Sequence, residues 1–507
     1  MNLAIVSGYL VLVLVIGLVS HRFFRGTGED YFVATRTIGP FLLLMSLFGT
    51  HMTAFSLLGA SGEAYHRGIG VFALMASSSA LVVPVVFLFV GTRIWALGKR
   101  FGYLTQIEFF RERWQSPGLG RLLFVVLVAL LIPYLLIGIK GGGITLHQIT
   151  SGRVPEWAGS LAICLVVLAY VVTGGLRGTA WANTFQTLVF MSLGAAAFVV
   201  ILSEAGGLAP AMSRVSEASP ELLVRGERIR PLELLTYTFM PLSVGMFPHI
   251  FMHWLTARRA RTFRLAIVAY PILVAIVWLP SVLLGVLGAS EFPGLEGPAA
   301  NSILLQMIGR HAPGAMAGLL AAGVLAAVMS SLDSQSLALG TLFTRELTQH
   351  RLRTGGGPTG ERQTVLLGRW FVAAVLLVTF LLSTAADRSI FKLGVWSFSG
   401  FAALFPLVVA ALYWRRSTRQ GAIASVLTVA ALWIAFFVRG WQEPGYTVGD
   451  SGVMPVAVLL AASTAVLVLV SLGTPRLDTA TLRRFFPERS PEESLESRPA
   501  AATSEPT

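Results

Sequence analysis

Apolar stretches of about 20 residues recur along almost the whole chain and constrain its fold more than any other feature. A helix of that length and polarity can cross a bilayer, so each stretch is a candidate membrane span. We predict about 13 spans, at residues 2–20, 40–61, 70–97, 121–142, 156–174, 181–203, 235–256, 264–288, 314–341, 367–385, 390–414, 421–438 and 453–472. Only 12% of the 507 residues are charged, whereas soluble domains carry roughly 25%. The chain is therefore predicted to be an all-α integral membrane protein.

The basic residues predict the orientation of these spans. The loops after odd-numbered spans hold most of the Lys and Arg, for example Lys99, Arg100, Arg111 and Arg113 between spans 3 and 4. Because such residues stay preferentially on the cytoplasmic side, we predict a multi-pass protein of the cell (inner or plasma) membrane with its N-terminus outside and its C-terminus cytoplasmic. The net charge of +13 is then spread over one membrane face. It leaves no stripe suited to nucleic acid, and the expected partners are the lipid bilayer and a small molecule, with no obligate protein partner evident.

The composition changes sharply near residue 473. Residues 1–473 hold every predicted span and form one transmembrane domain. Residues 474–507 are polar and rich in Pro, Ser and Glu, which predicts a disordered cytoplasmic tail.

Two spans contain polar and helix-breaking residues near their centres. These residues are Gly49, Thr50, His51 and Thr53 in span 2, and Pro241, Gly245, Pro248 and His249 in span 7. Spans 2 and 7 are five apart, so they begin two units of five spans, and an odd number of spans gives the units opposite topology. Interrupted helices at matching positions of inverted repeats are typical of transporter binding sites. The simpler explanation is that Gly and Pro are common in membrane helices.

Span 9 carries hydroxyl groups and a carboxylate at membrane depth. Ser330 and Ser331 are adjacent, and Asp333 lies about one turn further on. Hydroxyl and backbone carbonyl oxygens together suit a hard cation. Serine in a membrane helix also bonds back to its own helix, but a carboxylate in a span is costly and usually functional. The segment is therefore predicted to bind an ion.

Several motifs, in the right order, resemble the sodium:solute symporter family, which includes bacterial proline, galactose and pantothenate transporters. They are "DYFVATRTIG" (30–39), "YVVTGGLRGTAWANTFQ" (170–186), "FPHIFMHW" (247–254), "AAVMSSLDSQ" (326–335) and "WSFSGFAALFPLVVAALYWRRST" (396–418), and the resemblance extends from Asp30 to about Arg419. It implies the leucine-transporter fold and alternating access, with inverted five-helix repeats at about 40–203 and 235–414. Residues 2–20, 421–438 and 453–472 would be peripheral helices.

The resemblance also implies a sodium site. The aligned ligands are backbone carbonyls of Gly49, Met52 and Ala327 and the hydroxyls of Ser330 and Ser331. Many relatives have Asp where this chain has Asn183, and the proline transporters have Asp at His51. We hypothesise that Asp333 replaces the lost acid in drawing sodium inward, with Asn183 on the same exit path.

The solute site is less constrained by the sequence. His51 at the first break is the first candidate, followed by His249, Phe55, Phe247, Trp396, Ser397 and Ser399. Lys140 near the end of span 4 could pair with a carboxylate on the solute or with a neighbouring carboxylate that gates access, and the solute would then be an organic anion or a zwitterion. The alternative is that its ammonium group extends to the membrane surface. The solute itself is not encoded in any motif.

Other functional classes remain as alternatives. The main expectation is sodium-driven symport of a small polar solute. Proton coupling through His51, His249, His253 or Asp333 is one alternative, and a non-transporting solute sensor or a passive channel is another. The sequence has no P-loop, H-E-x-x-H or nucleophile elbow, so an enzyme is not expected.

Overall fold

The computed structural model describes residues 2–20, 36–226, 228–353, 361–385, 388–441, 443 and 445–486, and its elements are helices. Numbered in chain order they are α1 Asn2–Ser20, α2 Pro40–His51, α3 Phe55–Arg67, α4 Phe72–Phe101, α5 Gln106–Arg113, α6 Pro117–Ile149, α7 Glu156–Glu204, α8 Leu208–Ala218, α9 Pro231–Gly245, α10 Pro248–Leu255, α11 Phe263–Glu291, α12 Ile303–His311, α13 Gly314–Arg353, α14 Glu361–Ala385, α15 Ile390–Tyr413, α16 Arg419–Trp441, α17 Pro455–Gly473 and α18 Thr479–Phe485. The all-α prediction is confirmed.

Every predicted span corresponds to helical residues in the described part of the chain. Nine helices there are long and apolar enough to cross a membrane, and two bent pairs, α2–α3 and α9–α10, raise the number to as many as 11. Leu3–Ile16 and Glu156–Ala169 are apolar but shorter. The total of about 13 therefore stays a prediction.

Helix α7 contains two predicted spans. Helical residues extend from Glu156 to Glu204, but they form two parts that differ in direction. The first part runs antiparallel to α6. The second runs antiparallel to α13, and α13 is itself antiparallel to α6. The contacts that fix these directions are Ile163–Gly142, Gly159–Leu146, Leu193–Gly323, Asn183–Ser334, Leu332–Gly138 and Val328–Gly141. The two parts, Glu156–Ala169 and Thr179–Glu204, therefore run in opposite directions, as two spans require.

Both predicted helix breaks are present. Helices α2 and α3 meet at 57° across residues 52–54, and α9 and α10 meet at 50° across residues 246–247. Met52 is extended (φ −82°, ψ 108°), and the hydroxyl of Thr53 accepts a hydrogen bond from the backbone N–H of Phe55 (3.0 Å), which starts the next helix. Phe247 is likewise extended before Pro248, as the residue before proline usually is.

The two membrane faces of the protein can be distinguished by their loops. On one face, Arg36 donates to the carbonyls of Leu255 (3.2 Å) and Tyr103 (2.9 Å), and Arg113 donates to that of Trp414 (3.1 Å). These loops are among those with surplus basic residues, and this face is called the α5 side below. The opposite face is called the vestibule side.

The prediction that disorder begins at residue 474 is wrong. Within residues 474–507, residues 479–485 form α18, which is capped by Asp478, and the side chain of Phe485 is buried. The aromatic side chains Phe485 and Phe486 supply an apolar contact within a polar segment, which composition averaging misses. Residues 487–507 lie outside the described residues.

Candidate ion and solute site

A hydroxyl group connects the first broken helix to α13. Ser330 Oγ donates to the carbonyl of Gly49 (2.8 Å) and also lies 3.0 Å from the carbonyl of Ala327. All three residues are fully buried or nearly so. A membrane serine that bonds only to its own helix would not make the contact with Gly49. Three of the five predicted sodium ligands therefore lie together, and their neutral oxygens suit a hard cation.

The other two predicted ligands lie beside this group. Met52 is the first residue after α2, at the break, and its N–H still donates to Phe48 (2.8 Å). Ser331 Oγ donates to the carbonyl of Val328 within α13 (3.0 Å). Both residues are buried. The predicted set is thus split between the end of α2 and one turn of α13.

Gly49 is required by close packing against the second part of α7. A Cβ atom at residue 49 would lie 2.0 Å from Thr187 Oγ1 and 3.2 Å from the carbonyl oxygen of Asn183. Thr187 Oγ1 is itself held by the carbonyls of Met45 (3.1 Å) and Asn183 (2.5 Å). The absence of a side chain lets α2 approach α7, and this brings the Gly49 carbonyl to Ser330.

A second polar group lies on the α5 side of Ser330. Asn183 Nδ2 donates to Ser334 Oγ (2.7 Å), and His253 Nε2 lies 3.3 Å from the same oxygen. Asn183 Oδ1 and His253 Nδ1 have no hydrogen-bond partner among the described residues. Three helices thus contribute polar atoms one turn beyond the ion ligands, on the predicted exit path.

Asp333 is fully buried, and neither of its carboxylate oxygens has a hydrogen-bond partner within the described ranges. Tyr9 of α1 is close enough to interact electrostatically with Asp333. The Tyr9 hydroxyl likewise has no hydrogen-bond partner among the described residues. Burial of a carboxylate without a partner is costly, which is why such groups in membranes are usually functional. The peripheral helix α1, which the sequence analysis left out of the site, therefore borders this carboxylate.

The histidines occupy the space between the two breaks. His51 Nδ1 is hydrogen-bonded to the hydroxyl of Tyr270 in α11, and its ring faces Phe247 at 6.0 Å. His249 stacks on Phe247 (5.2 Å) and lies 5.5 Å from the ring of Tyr134 in α6. Both ring nitrogens of His249 and the hydroxyl of Tyr134 have no hydrogen-bond partner in the described part of the chain. These buried polar atoms form a group suited to a polar solute.

Several other predicted solute residues contact neighbouring protein groups. Ser397 Oγ donates to the carbonyl of Leu130 in α6 (3.0 Å), and Ser399 Oγ donates to that of Trp396 (2.9 Å). Lys140 is partly buried in α6 and has an interaction partner. Phe55 contacts Phe391 (4.8 Å) and Phe398 (5.0 Å), and Trp396 contacts Phe437 (5.5 Å).

A cavity of about 790 Å³ opens on the vestibule side. Its charged lining residues include Glu63, Arg67, Arg388 and Lys392. Its other lining residues include Tyr237, Met240, Phe391, Trp396 and Ser399. Phe391 lines the cavity and contacts Phe55 at the first break. Phe55 and its aromatic neighbours therefore lie between the cavity and the group around His249.

On the α5 side, helix α5 is joined to α13 and to α15. Arg345 forms an ion pair with Glu108 (2.6 Å), and Arg111 forms one with Glu346 (2.6 Å), so two bridges join α5 to the end of α13. Arg113 is fully buried and donates to the carbonyl of Ala411 (2.9 Å), which joins α5 to α15. Burial lowers the pKa of Arg113 to about 10, so the guanidinium is still charged at neutral pH. A large cavity on the vestibule side, with bridges between helices on the α5 side, is an arrangement expected of alternating access.

Comparison with known proteins identifies the family. The Sodium:solute symporter family matches residues 31–428, which is most of the chain. The chain belongs to this family. It is 26% identical to the sodium/pantothenate symporter of Escherichia coli over 86% of this chain and 91% of the relative, and 25% identical to the sodium/proline symporter of Escherichia coli over 90% and 93%.

A solved structure shows the same fold. A Na+-coupled sialic acid symporter in a substrate-bound outward-open state superposes with a TM-score of 0.76 at 15% identity, covering 94% of this chain and 98% of the other. The leucine-transporter-type fold is therefore confirmed. As a family member, this symporter is a multi-pass membrane transporter of small solutes and not an enzyme.

Several residues of this region were not predicted from the sequence, among them Tyr9, Tyr134, Thr187 and Tyr270. Tyr134 and Tyr270 are isolated hydroxyls in apolar stretches, whereas Tyr9 and Thr187 lie near other hydroxyl residues, Ser7 and Thr184. Neither pattern indicates more than packing. The structure distinguishes them from ordinary packing residues. The buried hydroxyls of Tyr9 and Tyr134 have no partner among the described residues, and Thr187 and Tyr270 contact residues of the broken helix.

Proposed function

We propose that this symporter uses inward sodium flow to take up a small polar organic solute. The observation that carries the proposal is the bond from Ser330 to Gly49, which brings predicted sodium ligands of the broken helix and of α13 into one group. Sodium would be bound by the carbonyls of Gly49, Met52 and Ala327 and the hydroxyls of Ser330 and Ser331. Neutral ligands bind weakly enough to release the ion, and the membrane potential adds about 2.3 kcal/mol per charge per 100 mV.

The orientation forms part of this proposal. The surplus of basic residues on the α5 side supports a cytoplasmic location for that side, with the vestibule outside. A solute would enter through the vestibule and bind between the two breaks, near His51, Tyr134 and His249. Opening of α5 away from α13 would then release ion and solute into the cytoplasm.

Uptake by purified protein in proteoliposomes tests the proposal. A panel of radiolabelled amino acids, sugars, carboxylates and vitamins is offered with an inward gradient of sodium, potassium or protons. We expect one solute class to accumulate with sodium and to stay at equilibrium with potassium. Accumulation driven by protons alone, with sodium absent, would overturn sodium coupling.

Asp333→Asn is expected to raise the sodium concentration for half-maximal uptake by about tenfold. The proposed reason is that the buried carboxylate attracts sodium along the exit path, and coupling of this kind is typically 1–3 kcal/mol. Ser336→Ala is the matched control, because it changes another buried polar side chain on the same helix. Equal uptake by Asp333→Asn and the unmodified protein at all sodium concentrations would refute this role.

Tyr134→Phe is expected to raise the KM for the solute about tenfold and to leave the sodium dependence of the melting temperature unchanged. Loss of one hydrogen bond to the solute costs about 1 kcal/mol or somewhat more. Tyr65→Phe serves as the control, because the Tyr65 hydroxyl is used elsewhere, by Phe292 (2.7 Å) and Leu295 (3.0 Å). An unchanged KM would place the solute away from Tyr134.

A further inference from the structure

The short helix α18 packs against the face of α5 that does not contact α13. Phe485 is buried and contacts Phe101 (5.7 Å) and Phe109 (6.2 Å). Arg484 forms an ion pair with Glu112 (2.5 Å), and Glu112 also accepts a hydrogen bond from the hydroxyl of Tyr103 (3.0 Å). Burial, followed by the nearby charge of Glu112, raises the pKa of Tyr103, so its hydroxyl keeps its proton. The segment after the last span is thus attached to the α5 side by apolar and charged contacts.

The same segment covers the residue that joins α5 to α15. The guanidinium of Arg113 lies 5.0 Å from the ring centre of Phe486 and 5.8 Å from that of Phe485. Arg415, in the loop after α15, stacks on Phe486 from 5.7 Å and donates to its carbonyl (3.3 Å). Phe486 therefore contacts arginines of two elements, α5 and the end of α15, that must separate if the α5 side is to open there.

Helix α18 depends on this docking. It has seven residues, and isolated helices shorter than about 12 residues are marginal in water. Its start is capped by Asp478, which accepts hydrogen bonds from the Thr481 backbone N–H (2.6 Å) and hydroxyl (2.9 Å). These bonds hold the pKa of Asp478 below its usual value. One cap does not stabilise two turns, so α18 is expected to lose its helical structure when it leaves α5.

We propose that docking of α18 on α5 holds the α5 side closed and that its release favours opening of that side. The inference rests on alternating access as part of the proposed function. While α18 is docked, Arg484 ties it to Glu112 of α5, and Phe486 ties it to Arg415 after α15. Separation of α5 from α15 must therefore break one of these two contacts. A contact that exists only in one conformation shifts the equilibrium toward that conformation.

The equilibrium between closed and open forms of the α5 side can be measured without a known solute. The measurement is the accessibility of a cysteine placed on the buried part of α13 between Ser334 and Arg345. Cys164 is the single cysteine of the chain and is replaced by serine. Thr341, which is 1% exposed, lies on α13 between Ser334 and Arg345, two turns from Ser334 on the same face. It is replaced by cysteine and labelled with a hydrophilic thiol reagent. Arg484→Gln and Phe485→Ala are compared with Arg483→Gln, since Arg483 is on the same helix but exposed.

We expect Arg484→Gln and Phe485→Ala to increase the labelling rate of Thr341→Cys, by about tenfold for Phe485→Ala, and Arg483→Gln to leave it unchanged. Tenfold corresponds to about 1.4 kcal/mol. A lower melting temperature with unchanged labelling would show that α18 is merely structural and would overturn the proposal. A chain ending at Arg476 gives a second test that is independent of side-chain substitution.

The sodium dependence of labelling separates the two proposals. Sodium is expected to slow labelling in all variants, because its site joins α2 to α13 in the closed arrangement. If α18 variants label faster but sodium has no effect in any protein, the ion proposal fails and the role of α18 stands. If sodium slows labelling and α18 variants behave like the unmodified protein, only the role of α18 fails.

Discussion

Gly49→Ala is expected to abolish sodium binding and transport, because the added methyl group has no space. Its carbon would lie 2.0 Å from Thr187 Oγ1, so the Thr187 side chain or one of the two helices must shift. Overpacking of this kind typically costs 1–3 kcal/mol. Displacement of α2 from α7 would also move the Gly49 carbonyl away from Ser330, which donates to it at 2.8 Å. The melting temperature is measured with and without sodium, together with uptake.

A second substitution tests whether the contact with Thr187 causes the loss of sodium binding in Gly49→Ala. Thr187→Ala removes the hydroxyl at 2.0 Å, and the contacts that remain are the Asn183 carbonyl oxygen at 3.2 Å and the Cβ of residue 187 at 3.4 Å from the added carbon. The double variant Gly49→Ala/Thr187→Ala is therefore expected to recover much of the stability and some sodium dependence. Gly194→Ala is the control, because a Cβ there has nothing within 4 Å. Full sodium dependence in Gly49→Ala alone would contradict a close approach of α2 to α7.

The helices and their breaks could be predicted because their causes are local. Apolar length predicts a span, and residues such as Gly49 and Pro248 interrupt one wherever they occur in a membrane helix. Ser330 was found for a similar reason, since a pair of hydroxyls followed by a carboxylate is conspicuous in an apolar sequence. Assignment of Gly49 and Ala327 as ligands depended on the resemblance to the family, because a backbone carbonyl leaves no trace in a single sequence.

Contacts between distant segments could not be predicted. Tyr270 is hydrogen-bonded to His51, a residue 219 positions away, and Tyr9 approaches Asp333 from the first helix. Nothing in the spacing of either tyrosine indicates its partner. The predicted disorder of the tail failed at Phe485 for the same reason, because its docking surface on α5 lies more than 300 residues earlier in the sequence.

Replacing both Ser330 and Ser331 with alanine is expected to remove stabilisation by sodium altogether. An ion that binds only the folded state stabilises it by RT ln(1 + [L]/Kd), about 1.4 kcal/mol at ten times Kd. The unmodified protein should therefore melt at a higher temperature in sodium than in potassium or choline at equal ionic strength. The double variant, with two of five proposed ligands lost, should melt at the same temperature in all three salts.

The single variants are expected to differ, because the two hydroxyls are used differently. Ser330→Ala also removes the bond to Gly49 in another helix, so it should lower stability without sodium by about 1 kcal/mol. Ser331 donates only within its own helix, to Val328, so Ser331→Ala should affect mainly the sodium-dependent part. Ser281→Ala, which removes a similar intrahelical hydroxyl bonded to Val277 (2.8 Å), is the control. If the double variant kept the full sodium-specific rise, sodium would bind elsewhere, and the group around Asp333 would become the next candidate.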